Sequence, residues 1–236
     1  MSVFRSVVLS AAIAGLLVGG LITGVQHLGT VPLIQKGEVY EERARQAAHA
    51  PVIADHAAPG HVHPVAAWEP ADGIERNGFT ALANVLAATG FAMILAAAFT
   101  LLRRRPTWRE GLLWGLGGFA AFTLAPGLGL PPELPGVPAA ALESRQLWWV
   151  ATALSTAAGL GLIVFRPAAW GAVLGVLLLA APHVAGAPVL AEMHSNVPEA
   201  LSRQFAAAVT VTSLLFWTLL GAVTALVQGR WFSPPA

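Results

Sequence analysis

The sequence contains no cysteine, a single tyrosine and few charged residues. The absence of cysteine excludes disulfide bonds, thiolate metal ligands and a cysteine nucleophile. Charged residues make up 11% of the 236 residues, whereas soluble domains contain about 25%. With 56% hydrophobic residues and a mean hydropathy of +0.67, the chain is expected to be an integral membrane protein with little soluble mass.

Several catalytic motifs are also missing. The sequence has no Gly-rich phosphate loop of the Walker type, no His-Glu-x-x-His zinc motif and no Gly-x-Ser-x-Gly elbow. Its basic residues are scattered near predicted membrane boundaries and form no nucleic-acid-binding patch, and the net charge is only +1. We therefore expect neither an enzyme nor a nucleic-acid-binding protein. A membrane enzyme would need a buried acid/base pair, which the sequence does not show.

Six apolar segments are long enough to span a bilayer, which takes about 20 residues. They are residues 6–27, 79–102, 110–130, 147–165, 168–186 and 205–228. The first is interpreted as a retained helix, because its apolar run is long for a signal peptide and no small-x-small cleavage site follows it. The predicted fold is an all-α integral membrane protein with six transmembrane helices in three helical hairpins. They form a single polytopic domain over residues 1–236.

A short turn rich in arginine orients the predicted bundle. Residues 103–109 contain Arg103, Arg104, Arg105 and Arg109, and short loops rich in basic residues remain in the cytoplasm. Both termini are then cytoplasmic, and residues 31–77 form an extracytoplasmic loop that contains histidines. In this orientation all seven histidines lie at or beyond the outer face.

Histidines and one acid on the outer side are candidate metal ligands. Imidazole suits Co, Ni, Zn and Cu, and carboxylates complete an N/O ligand shell. One set lies in or beside the outer loop and comprises His49, His56, His61 and His63. A second set lies nearer the predicted mouth of the bundle and comprises His27, His183, His194 and Glu133. The first set is expected to capture a cation weakly and the second to receive it. The alternative is that all are ordinary loop and interfacial residues.

The outer ends of the predicted hairpins share an acid, an arginine and an amide. The three instances are Glu75-Arg76-Asn77, Glu143-Ser144-Arg145-Gln146, and Glu199 followed by Ser202-Arg203-Gln204. Glu143, Arg145, Glu199 and Arg203 are therefore candidates for pairing around a shared outer vestibule. The alternative is that the acids only stabilise helix dipoles.

Small residues recur four positions apart in several spans, which permits close helix packing in lipid. The pairs are Gly15 and Gly19, Gly20 and Gly24, Gly111 and Gly115, and Gly171 and Gly175.

Several motifs resemble a known family over nearly the whole length of the chain. They are Gln26-His27-x-x-Thr30-x-Pro32-Leu33-Ile34, Glu38-x-Tyr40-Glu41, the stretch from Ala125 to Gly136, Arg145-Gln146-x-Trp148-Trp149 and Pro182-His183-x-x-Gly186-x-Pro188. On these residues the chain resembles the A subunit of the Cbt-type cobalt transporter.

The resemblance implies a subunit of a cobalt uptake transporter, a multi-pass protein of the bacterial plasma (inner) membrane, linked to cobalamin synthesis. Co²⁺ would be the transported ion and not a permanently bound cofactor, and the same ligands accept Ni²⁺. The implied partner is a small, single-span B subunit with a His-rich terminus, alongside membrane lipid, and an oligomer is not excluded. The alternative function is a non-transporting membrane scaffold or metal sensor that binds a partner on the outer face.

Overall fold

The computed structural model describes residues 3–48, 68, 70–102, 105–190 and 195–231. Within these ranges all regular structure is helical. The helices are α1 (Val3–Leu28), α2 (Val31–Ala48), α3 (Ile74–Leu101), α4 (Trp108–Phe119), α5 (Ala125–Gly129), α6 (Leu142–Phe165), α7 (Ala169–Ala185) and α8 (Glu199–Trp231). A π-helical turn, Ala120–Leu124, joins α4 to α5, so Trp108–Gly129 is one continuous helical segment.

Five helical segments of the described chain are long and apolar enough to cross a membrane. They are Val3–Leu28, Ile74–Leu101, Trp108–Gly129, Leu142–Phe165 and Glu199–Arg230, and they coincide with five of the six predicted spans. The remaining predicted span, residues 168–186, corresponds to α7, which is apolar but has only 17 residues. Because a full span takes about 20 residues, the sixth crossing stays a prediction.

The helices pack as three close pairs, which are α1 with α3, α4 with α8, and α6 with α7. Helix α8 also packs against α1 and α3. Of the predicted hairpins of consecutive spans, the first is one of these close pairs. In the other two, α7 packs mainly against α6, and α4 packs mainly against α8. The reason is a glycine contact between α4 and α8. A Cβ atom added at Gly221 would lie 2.1 Å from the carbonyl oxygen of Gly111, so these two backbones approach more closely than larger residues allow.

The glycine pairs explain most of this packing. A Cβ atom at Gly15 would meet Thr89, and one at Gly19 would meet Val85 within 2.8 Å, which joins α1 to α3. Gly175 packs against Gly159 in the same way between α7 and α6. Among the described residues, nothing lies within 4 Å of a Cβ atom added at Gly20 or Gly24, so no close approach is found at that predicted pair.

Helix α2 packs across one end of the bundle, which we call the α2 end. Its apolar residues Leu33, Ile34 and Tyr40 pack against a small core of Leu134, Val197 and Phe205. The helix begins at Val31. Glu41 and Arg45, which lie one turn apart in it, form an ion pair at 2.7 Å. Helix α2 therefore lies on the end of the bundle and is not one of the long apolar helices.

Candidate functional site

A cavity of about 460 Å³ opens at the α2 end, between α1, α2, α3 and α8. We call it the α2-end cavity. Its polar lining comes from all four helices and the turn before α3, and comprises Gln26, His27, Thr30, Gln35, Glu38, Asp72, Arg76, Asn77, Thr80, Thr212 and Ser213. Polar groups at membrane depth are costly and mark functional sites. The cavity is therefore the principal candidate site in the described part of the chain.

An ion-pair network connects α2 to the start of α3 in the wall of this cavity. Both terminal nitrogens of Arg76 donate to the carboxylate of Glu38, one of them at 3.2 Å. Arg76 also donates to Asp72 Oδ1 at 3.1 Å. Two carboxylates face one guanidinium, so these three lining residues carry one net negative charge. The wall is thus weakly attractive to a cation while Arg76 holds α2 in place.

An amide network lies next to the cavity, between α1 and α3. Asn84 Nδ2 donates to Gln26 Oε1 at 2.7 Å and to Thr23 Oγ1 at 3.0 Å. The Thr23 hydroxyl in turn donates to the carbonyl oxygen of Gly19 at 2.8 Å. These neutral oxygen and nitrogen groups continue the polar lining of the α2-end cavity one turn deeper along α3.

Three members of the second predicted set of ligands, His27, His183 and Glu133, are described by the structure, and they do not form a common metal-binding group there. His27 lines the α2-end cavity. His183 packs edge-on against Trp148 with ring centroids 5.9 Å apart, and the indole of Trp148 donates to the carbonyl oxygen of Pro182 at 3.1 Å. His183 therefore belongs to the α6/α7 pair, and Glu133 pairs with Arg145 at 2.7 Å. The other predicted ligands, His49, His56, His61, His63 and His194, lie outside the described residues.

The residues predicted to pair around a vestibule make local contacts. Arg145 pairs with Glu133, which lies in the turn that precedes its own helix. Arg203 pairs with Glu199 of its own helix at 3.1 Å, and both side chains are exposed. Glu143 is exposed in the first turn of α6.

Arg76, which lies in the wall of the α2-end cavity, belongs to the first acid-arginine-amide motif. The sequence indicates this motif but does not indicate that Glu38 pairs with Arg76. Glu38 lies 38 residues earlier, and it approaches Arg76 only because α2 packs onto the bundle. Asp72, one turn before Arg76, carries no sequence signal that marks it as a second partner. No group of three or more His, Asp or Glu side chains in the described ranges is arranged to hold a metal ion. The α2-end cavity is thus a polar, weakly anionic chamber.

The contact between Arg76 and Glu38 should couple measurably in a double-mutant cycle. The pair is two-pronged and about two-thirds buried, so we expect a coupling free energy of about 1 kcal/mol. The cycle uses Arg76→Gln and Glu38→Gln, and unfolding of the detergent-solubilised protein is measured. The matched control is the exposed pair of Arg203 with Glu199, where coupling should be near zero. Equal coupling free energies in the two pairs would show that the contact of Arg76 with Glu38 does not stabilise the packing of α2.

Comparison with known proteins identifies the chain at the level of a family. The family described as a probable cobalt transporter subunit (CbtA) matches residues 4–228, nearly the whole length. No curated protein matches the chain, and no solved structure does. The term subunit indicates that the protein works with a partner, and the five long apolar helices agree with a multi-pass membrane protein. The chain belongs to the CbtA family of probable cobalt transporter subunits.

Proposed function

We propose that this chain is the membrane subunit through which Co²⁺ enters the cell, with the α2 end facing outward. The observation that carries the proposal is the α2-end cavity, with its polar lining and net negative ion-pair network. The short arginine-rich sequence between α3 and α4 supports the orientation, because α3 begins at the α2 end and runs away from it.

The volume of the cavity suits a hydrated divalent ion. Six waters at about 30 Å³ each occupy about 180 Å³, and the cavity provides about 460 Å³. A hydrated ion is attracted by the net charge of Glu38, Asp72 and Arg76, and its water shell can be exchanged for the oxygens of Gln26 and Thr212. His27 at the same cavity adds an imidazole, which suits Co²⁺ and Ni²⁺ alike.

The direction of movement follows from charge. With the cell interior negative, each unit charge moving inward gains about 2.3 kcal/mol per 100 mV, so a divalent cation gains about 4.6 kcal/mol. This gain favours uptake from the outer face. We further propose capture by His49, His56, His61 and His63, assistance from a small His-rich B subunit in the bacterial inner membrane, and delivery of the metal to cobalamin synthesis.

Cobalt accumulation tests the proposed function directly. Cells that lack the gene should take up Co²⁺ at a rate at least tenfold below cells that carry it, when external cobalt is submicromolar and the metal is measured by mass spectrometry. Reintroducing the gene should restore uptake, and the Mg²⁺ content should stay unchanged as the control. Cobalt accumulation that does not depend on the gene would remove the transport proposal and favour a membrane scaffold or metal sensor.

A further inference from the structure

Four buried oxygen atoms at the end of the bundle opposite α2 lack hydrogen-bond partners among the described residues. They are Ser6 Oγ, Ser10 Oγ, Thr224 Oγ1 and Gln228 Oε1. All four residues are at most 3% exposed. A fifth such atom, Thr156 Oγ1, belongs to α6 and lies outside the α1/α3/α8 junction described next.

Several other hydroxyls in the same helices are satisfied. Thr23, Thr89 and Thr100 each donate to the carbonyl oxygen four residues earlier, at 2.8 Å, which is the usual solution for a hydroxyl in a membrane helix. An unsatisfied buried polar group destabilises a fold, so several such groups at neighbouring levels require an explanation. The usual explanation is a functional site.

The register of the helices places the four oxygens at neighbouring levels of the bundle. Gly15 faces Thr89 and Gly19 faces Val85, so the antiparallel register sets Ser6 level with about residue 98 of α3. The amide of Gln228 donates to Ala96 O and Thr100 Oγ1, both at 2.9 Å, and therefore lies at that same level.

Ser10 and Thr224 each lie four residues, or about one helical turn, closer to the α2 end than Ser6 and Gln228. Helix α8 packs against both α1 and α3. The four side chains are thus buried in two adjacent layers of the α1/α3/α8 junction. We call them the junction oxygens.

An apolar segment separates the junction oxygens from the α2-end cavity. It includes Val18 and Ile22 of α1, Ala88 and Ala92 of α3, and Leu220 of α8, which pack as one core. Thr212 lines the cavity, and Thr224 lies twelve residues further along the same helix, or about 18 Å. Along the three helices the polar cavity is therefore followed by an apolar segment and then by the junction oxygens, which lie among further apolar residues of the same core, Leu95, Phe99 and Ala225.

We propose that the junction oxygens form a transit site for a divalent cation, and that the α1/α3/α8 junction is its route through the membrane. The proposal rests on the transport function proposed above. Neutral hydroxyl and amide oxygens suit a hydrated cation and hold it weakly, which favours release. The apolar segment closes the route between the cavity and the transit site, as hydrophobic constrictions do in channels.

Removing two junction oxygens with little change in side-chain size tests the site. The double variant Ser10→Ala, Thr224→Val should lower the initial rate of Co²⁺ uptake at least tenfold. Its thermal unfolding temperature should be unchanged or higher, because unpartnered buried hydroxyls are lost. The matched control is Thr218→Val in the same helix, whose hydroxyl donates to its own helix at Leu214 O and whose loss should leave uptake unchanged.

The outcomes separate this proposal from the transport function. If the wild-type protein takes up Co²⁺ and the double variant takes it up at the same rate, the transit site is disproved and the transport function stands. Slow uptake accompanied by a lower unfolding temperature would assign the two hydroxyls a packing role and would also overturn the site. A wild-type protein that takes up no cobalt would overturn both proposals.

Discussion

A tryptophan at position 212 should reduce Co²⁺ uptake at least tenfold. Thr212 is 8% exposed and lines the α2-end cavity at its α8 wall. The indole ring would occupy the space through which we propose that the ion passes, while the cavity tolerates the added volume better than a packed core does. The measurement is the initial uptake rate in cells that lack the native gene and express the Thr212→Trp variant.

The neighbouring residue provides a matched control. Val211 is 58% exposed on the outside of the bundle, so Val211→Trp introduces the same side chain into the same helix without entering the cavity. Its uptake should stay within twofold of the wild-type rate at equal membrane protein levels. Equal uptake by the two tryptophan variants would show that ions do not pass through the cavity.

Alanine at position 221 should weaken the fold strongly. A Cβ atom there would lie 2.1 Å from Gly111 O and 2.8 Å from the backbone nitrogen of Gly115, and backbone atoms cannot yield as a flexible side chain does. Helices α4 and α8 must then move apart, and we expect the free energy of unfolding to fall by about 3 kcal/mol. The measurement is the free energy of unfolding of the purified protein in detergent micelles.

The control for this variant should change stability in the opposite direction. Gly117 lies on α4, and a Cβ atom at this position meets no described residue within 4 Å. Gly117→Ala should therefore stabilise the helix by up to about 1 kcal/mol, because glycine is a poor helix former. If Gly221→Ala proved as stable as the wild-type protein, the close packing of α4 on α8 would be disproved.

The positions of the membrane helices could be predicted from the sequence because they depend on local composition. Apolar runs of about 20 residues located five long helices correctly. Helix pairing could not be predicted in the same way. Gly111 and Gly115 were recognised as packing residues, but only the folded chain shows that they face Gly221 and Trp217 of α8.

The candidate site was only partly visible in the sequence for a similar reason. His27 was predicted near a vestibule and does line the cavity. Glu38 and Arg76 became neighbours only through the packing of α2, which joins residues far apart in the chain. The junction oxygens depend on the register of three helices. Single Ser, Thr and Gln residues in apolar segments carry no sequence signal that separates them from hydroxyls bonded within their own helix.

Because the natural chain has no cysteine, a single introduced thiol can test the central claim that cobalt enters through the α2-end cavity. Cells expressing Thr212→Cys are treated from outside with a membrane-impermeant thiol reagent, and Co²⁺ uptake is then measured. We expect treatment to stop uptake in Thr212→Cys cells and to leave wild-type and Val211→Cys cells unaffected. Full uptake by Thr212→Cys protein that the reagent has completely modified would contradict the account.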